Sequence, residues 1–535
     1  MVMGGERASF SEDVVARATR VSHKEAGGTG RVRGAPGWSL PRVFGSTWQL
    51  VWAILVATSF LLYSVYFLWW TQPMDGYGRL NSMQQEGGCP SGGREWSGNL
   101  RKLDSAWNGL CFGPPPELLR IALFVKKWPV GGVPGGLERH ALTLHKVLAG
   151  RGHEVHVYTV SGDGTLPEEI TQEQLHVHFV KPNAAGNLDI KQAWEKFLEA
   201  NSSKAFDVVH SESVALPHWR ARNISNMAAS WHGVAYEVIH SDVVLDLMRK
   251  PGEPRSAELQ KVLSERLFKV TEEVRFFRGY RHHVATSDYV GDVLQTIYEI
   301  PLENVHIILN GVDESKFRPD STVGVSFREK HGVPLNASLV IGAAGRLVKD
   351  KGHPLLFEAF SAIIKDHKDV YLLVAGQGPW GERYKELAPY AKTLGSLTPL
   401  QLAEFYNAID IFVNPTLRAQ GLDHTLLEAM QCGKPLLATH FSSIMKSVIV
   451  NSDIGYIFAP NVDSLGEALR SVIRDGKDNM KMKGKFCRSY ASVMFTATKM
   501  GAAYERLFLC MKKDAYCHYP LTTDCKIETN SYITH

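Results

Sequence analysis

A chain of 535 residues, 44% hydrophobic and 21% charged, is too long for one compact core and too apolar for a disordered chain, so roughly two to four folded domains are expected. A formal net charge of +4 is too small for a field that captures a polyanion, which excludes nucleic acid as a partner. The seven cysteines follow no metal-ligand spacing: Cys510, Cys517 and Cys525 cluster near the C-terminus, while Cys89 and Cys111 lie far upstream, so no bound metal is expected.

Residues 1–47 form a basic tail carrying Arg7, Arg17, Arg20, Lys24, Arg31, Arg33 and Arg42. Trp48 to Trp70 then runs without a charged residue, long enough as a helix to cross a bilayer of about 20 residues' depth and flanked by interfacial tryptophans. The run starts too far from Met1 for a cleavable signal peptide. The next basic residue is Arg79, so the basic side stays cytosolic and the rest of the chain is lumenal, a single-pass type II arrangement. The length of the span favours the Golgi over the endoplasmic reticulum. Residues 71–117 are rich in Gly, Ser and Pro and read as a stem, in which Cys89 and Cys111 either close a small loop or remain surface thiols.

From residue 118 the texture alternates short apolar strands with amphipathic helices, the pattern of α/β folds with parallel sheets. Strands are expected at Ile121–Val125, His153–Val160, Phe206–His210, Met227–Trp231, His283–Ser287 and His306–Leu309, with a long helix over Ser256–Tyr280. The pattern restarts after Pro319 with strands at Leu339–Gly345, Val370–Gly376, Ala391–Gly395, Ile411–Pro415 and Pro435–Thr439. Two doubly wound Rossmann-like domains, 118–318 and 319–490, would face each other across a nucleotide-binding cleft. A crossover helix at 491–512 and a tail at 513–535, packed as an appendage or disordered, would follow.

Four groups carry candidate chemistry. Gly131, Gly132, Gly135 and Gly136 join a strand end to a helix start, either as a flexible loop or as an anion cradle. Arg346 follows a strand and Lys351 precedes the next helix, where fixed cations would stabilise charge developing on a diphosphate leaving group. After the strand at Ile411–Pro415, a helix over roughly Asp423–Cys432 offers its first turn to phosphate, and Glu428 either grips ribose hydroxyls or pairs within its own helix. His210 and His232 end strands at the crevice, and His232, followed by Gly233, is favoured as a sugar contact.

Residues 118–512 resemble the GT-B glycosyltransferases of family GT4, through GGLERHALTLHKVLAGRGHEVHVYT, SWHG, HIILNGVDESKFRP, GRLVKDKG, AGQGP and GLDHTLLEAMQCGKP in that order. The resemblance implies retaining, metal-independent hexosyl transfer with no cofactor, from a UDP- or GDP-linked sugar to a glycan, lipid or protein hydroxyl. It assigns Arg346 and Lys351 to the diphosphate and Glu428 to the ribose. Gly135 and Gly136 would lie by the phosphates and transferred sugar, His232 would contact that sugar, and the backbone of Leu422, Asp423 and His424 would add phosphate contacts. No D-x-D occurs, so a metal-dependent alternative lacks its ligand pair. The chain departs from the pattern at Gln420, where the family has an acidic residue eight positions before Glu428; a carboxamide hydrogen-bonds sugar hydroxyls but is no nucleophile. That substitution motivates a second reading, a catalytically silent scaffold. A Rossmann oxidoreductase is disfavoured because the G-x-G-x-x-G fingerprint is missing.

Overall fold

The structure, a computed structural model, describes residues 96–130, 135–247, 252, 254, 257–419 and 422–525. The anchor at Trp48–Trp70, Cys89, Gly131, Gly132 and Gln420 lie outside the described residues. Among the described residues no helix is long and apolar enough to cross a membrane.

The N-terminal lobe begins with β1 (Gly98–Asn99) and then builds an eight-stranded sheet. Its strands are β2 (Arg120–Phe124), β3 (Glu154–Thr159), β4 (Ile170–Gln172), β5 (Leu175–Phe179), β6 (Val208–Glu212), β7 (Met227–Trp231), β8 (His282–Ala285) and β9 (Val305–Ile307). They lie in the order β4-β5-β3-β2-β6-β7-β8-β9, parallel except for β4 against β5. The central strands are buried on both faces, as near-continuous apolar runs require when helices cover the sheet. The helices that position the site are α1 (Gly136–Gly150), α2 (Ala235–Leu247) and α3 (Ala257–Phe277).

The second lobe is a six-stranded parallel sheet of β10 (Leu339–Ala344), β11 (Val370–Ala375), β12 (Ala391–Gly395), β13 (Ile411–Asn414), β14 (Leu436–Thr439) and β15 (Gly455–Phe458), in the order β12-β11-β10-β13-β14-β15. Here α4 (His353–Asp366) starts with Pro354 in its first turn and buries Leu356, Phe360 and Ile363. The helix α5 (His424–Gln431) is capped by Asp423, and α6 (Val462–Met494) is two helices joined at Gly476, whose φ is +70°. The return helix α7 (Ala497–Lys512) packs back on the first lobe, where Met500, Tyr504, Leu507 and Phe508 share an apolar cluster with Leu123, Val157 and Leu144.

Two expectations are corrected, and a third, left between two alternatives, is narrowed to one. The strand expected to end at His210 runs on to Glu212, because the apolar run VVH continues into small and buried polar residues. His210 is therefore mid-strand and fully buried, not at the crevice. Cys111 bonds to Cys525, 414 residues away, and Cys510 bonds to Cys517, so Cys111 closes no loop within the stem. The chain after Lys512 is anchored through residue 525: besides the disulfides, β16 (His518–Tyr519) pairs with β1, and the buried Arg506 guanidinium holds Asp524.

Candidate functional site

Between the carboxyl ends of the two sheets lies a cavity of about 670 Å³ walled by both lobes. Gly135, Gly136, Leu137, Arg139 and His232 contribute from the first lobe, and Gly345, Arg346, Lys351, Leu422, Asp423 and His424 from the second. This is the crevice that doubly wound sheets open where their loops diverge.

Each wall follows from local sequence. On the first, Gly135 is the N-cap of α1 and adopts an extended conformation; a Cβ there would come 2.5 Å from the Glu138 carboxylate. A Cβ on Gly136 would stand 3.8 Å from His424 Nδ1 of the opposite lobe, an ordinary van der Waals distance, so the two lobes come close at this point. On the second wall, β10 ends at Ala344 and the chain turns through Gly345 and Arg346 into a short 3-10 turn, Lys349–Lys351. Gly352 then takes φ +77° with the Pro415 carbonyl only 1.7 Å from where a Cβ would sit, so no other residue can place Lys351 there. Lys351 Nζ donates to Asp423 Oδ2 at 2.7 Å. Burial pushes the Asp423 carboxyl up, but Lys351 and the Thr425 hydrogen bonds outweigh it and leave it ionised well below the usual range.

Arg346 differs from its neighbours. Arg418 on the same wall is held by Asp350 at 3.3 Å and Lys351 by Asp423, whereas no ion pair or side-chain hydrogen bond ties the Arg346 guanidinium among the described residues. Glu428 lies behind the cavity wall, 2% exposed. Its Oε1 is met by the Arg139 guanidinium of α1, across the cleft, and its Oε2 accepts from the Tyr406 hydroxyl at 2.9 Å. Burial raises its pKa against the opposing pull of Arg139.

His232 follows β7 directly and stands on the first-lobe wall of the cavity. Its Nε2 hydrogen-bonds Glu212 Oε2 at 2.7 Å, and the His140 ring meets it edge-on at 4.5 Å. Glu212, at the end of β6, is fully buried; burial raises its pKa, yet His140 and the hydrogen bond from His232 hold it far below the ordinary range. An ionised Glu212 accepts a proton from His232 Nε2, which fixes the ring and leaves Nδ1 as the nitrogen open to another partner. Behind this pair, His210 Nδ1 meets His145 Nε2 at 3.2 Å and His210 Nε2 meets Ser230 Oγ at 2.8 Å. His140, Glu212 and His232, and likewise His145, His210 and Glu212, bring three ligand atoms within 4.8 Å of one another, close enough to share a cation.

Arg139 and Glu212 escaped the reading of the sequence. Arg139 sits one helical turn after Gly135, and that spacing from the glycine loop was the available signal. Glu212 was hidden by placing the end of β6 two residues early.

Residues 134–316 match Glycosyltransferase Family 4, and residues 327–485 match Glycosyl transferases group 1. A D-inositol 3-phosphate glycosyltransferase of Xylanimonas cellulosilytica is 24% identical over 66% of this chain and 87% of its own. An alpha-monoglucosyldiacylglycerol synthase of Streptococcus pneumoniae is 24% identical over 66% and 78%. Among solved structures, a glycosyltransferase from Rickettsia africae superposes with TM-score 0.56 at 19% identity, over 74% of this chain and all of its own. Anabaena HepE in complex with UDP-glucose gives 0.53 at 19%, over 73% and 99%. The chain thus carries a Glycosyltransferase Family 4 domain followed by a glycosyl transferases group 1 domain, on a GT-B-like α/β glycosyltransferase fold.

Proposed function

We propose that this chain moves a hexose from a UDP- or GDP-linked donor to a hydroxyl of a glycan, lipid or protein acceptor, with retained configuration and without a metal ion or other cofactor. The observation that carries the reading is Arg346, an untied guanidinium beside the N-terminal turn of α5, on the wall opposite His232 of a cavity large enough for a nucleotide sugar. The bond from the anomeric carbon to the diphosphate oxygen breaks, and the acceptor oxygen bonds to the same face of the sugar. The acceptor proton passes to the departing diphosphate. Arg346 and Lys351 stabilise the charge that develops there, worth most in a cavity that excludes water. His232 positions the sugar through its Nδ1, and the carboxamide of Gln420 supplies a hydrogen bond without charge. For Glu428 to take the ribose hydroxyls, Arg139 swings away from it toward the phosphates.

The names of the two bacterial relatives support sugar transfer as the reaction class. The span at Trp48–Trp70 anchors the chain as a type II protein with its catalytic part in the Golgi lumen, and two disulfides support an oxidising compartment. The test is release of nucleoside diphosphate by the full-length protein from a panel of UDP- and GDP-sugars, with and without simple sugar and lipid acceptors. Turnover of at least one donor supports the reading; no release, together with no binding of UDP or GDP, overturns it and favours the silent scaffold.

A further inference from the structure

A second cavity, of about 340 Å³, opens beside the first and shares one wall residue with it, His232. Its other walls are Ser213 after β6, the start of α2 at Gly233–Ala235, and one face of α3 with Arg266, Lys269 and Glu273. The spacing 266, 269, 273 puts these three on one helical stripe, so their common direction follows from the sequence.

The charge on this wall is unevenly spent. Glu273 Oε2 accepts from the Ala235 N–H at 2.8 Å and the Tyr298 hydroxyl at 2.6 Å, so that carboxylate is taken up in holding the start of α2. Burial also raises its pKa, which disfavours the charge. Arg266 reaches Asp242 with a single nitrogen, Nε, at 3.3 Å, which leaves the outer nitrogens of its guanidinium for another partner. Lys269 forms no ion pair among the described residues. Opposite them Ser213 has φ +53°, a left-handed backbone that a serine adopts only when its surroundings impose it.

We propose that this second cavity is the acceptor subsite and that it selects an acceptor bearing an anionic group, a phosphate above all, gripped by Lys269 and Arg266 with Ser213 on the facing wall. The inference rests on the transfer reaction proposed above: His232, common to both cavities, marks where the donor sugar and the acceptor hydroxyl meet. An acceptor whose anion lies on the α3 stripe extends its hydroxyl past His232 toward the donor. A sugar phosphate and a phospholipid headgroup share this chemistry.

The experiment is calorimetry on the full-length protein in detergent, with glucose 6-phosphate against glucose, and dihexanoyl phosphatidic acid against dihexanoyl phosphatidylcholine. Each probe is titrated with and without UDP and GDP. One charge-assisted contact changes affinity roughly tenfold or more. At least one phosphate probe should therefore bind about tenfold tighter than its neutral or zwitterionic partner, K269E should erase the difference, and K269R should keep it. Preference for glucose 6-phosphate identifies a soluble acceptor; preference for phosphatidic acid alone identifies a lipid headgroup. Equal binding of each pair by the unaltered protein, or a preference that survives K269E, overturns the inference. Affinity for UDP or GDP reports separately on the donor site, and its retention in K269E also shows that the variant is folded.

Discussion

Glu212→Gln isolates the contribution of the carboxylate beneath His232. The substitution keeps size and hydrogen-bonding capacity but removes the charge at 2.7 Å from His232 Nε2, so the amide now presents either an acceptor oxygen or a competing N–H. A charge-assisted hydrogen bond contributes about 1.5–3 kcal/mol, and each 1.4 kcal/mol is tenfold in rate, so kcat/KM should fall roughly 10- to 150-fold. Glu212 is fully buried and does not line the donor cavity, so affinity for the nucleoside diphosphate should stay within about twofold. Thermal stability should fall modestly at neutral pH, because the attraction of His140 and His232 that keeps Glu212 ionised outweighs the desolvation cost that the neutral isostere removes. The assay is initial-rate release of nucleoside diphosphate from the best donor, beside a calorimetric nucleotide titration. Unchanged kcat/KM with nucleotide affinity intact would refute the argument that Glu212 orients the His232 ring.

Arg139→Ala leaves Glu428, 2% exposed, without its cationic partner, and should cost about 3–5 kcal/mol, read as a lower urea midpoint. Cys525→Ser opens a link between positions 414 residues apart and should cost about 2–5 kcal/mol; a midpoint equal to the parent's would show that the link contributes nothing. Burial lowers His210 and His283 to about 3 and His282 and His353 to about 4, whereas the unfolded chain binds those protons near pH 6.5. The unfolded state therefore takes up more protons on acidification, and stability falls as pH drops from about 6.5 toward 4, by up to about 1.4 kcal/mol per pH unit for each histidine. Urea midpoints at pH 7.5 and 5.0 check this, and a midpoint at pH 5.0 equal to or above that at 7.5 would contradict it.

Much of the fold was legible because apolar runs such as Leu339–Ala344 and Val370–Ala375 are short, β-branched and closed by glycine, the pattern of buried parallel strands. β5 was missed because LHVHF alternates leucine, valine and phenylalanine with histidine, and the half-buried histidines break the apolar run. The cations of the second lobe were legible because they directly flank strand and helix ends, which fixes their direction. Partnerships between segments distant in sequence were not: the Arg139–Glu428 pair spans 289 residues and the Cys111–Cys525 bond 414, and local pattern holds no information at that range. Glu212 shows how a boundary error propagates. Ending β6 at His210 made a core histidine look like a site residue and hid the carboxylate two positions on, on the same strand face at the strand's end.

The central claim is that Arg346 and its neighbours hold a pyrophosphate between the lobes. Titration of UDP and GDP into the full-length protein and into Arg346→Ala tests it most directly. The account predicts saturable binding of at least one nucleotide, weakened by about 1.5–3 kcal/mol in the variant. Identical affinity in the two proteins, or no binding by the unaltered protein, would contradict it.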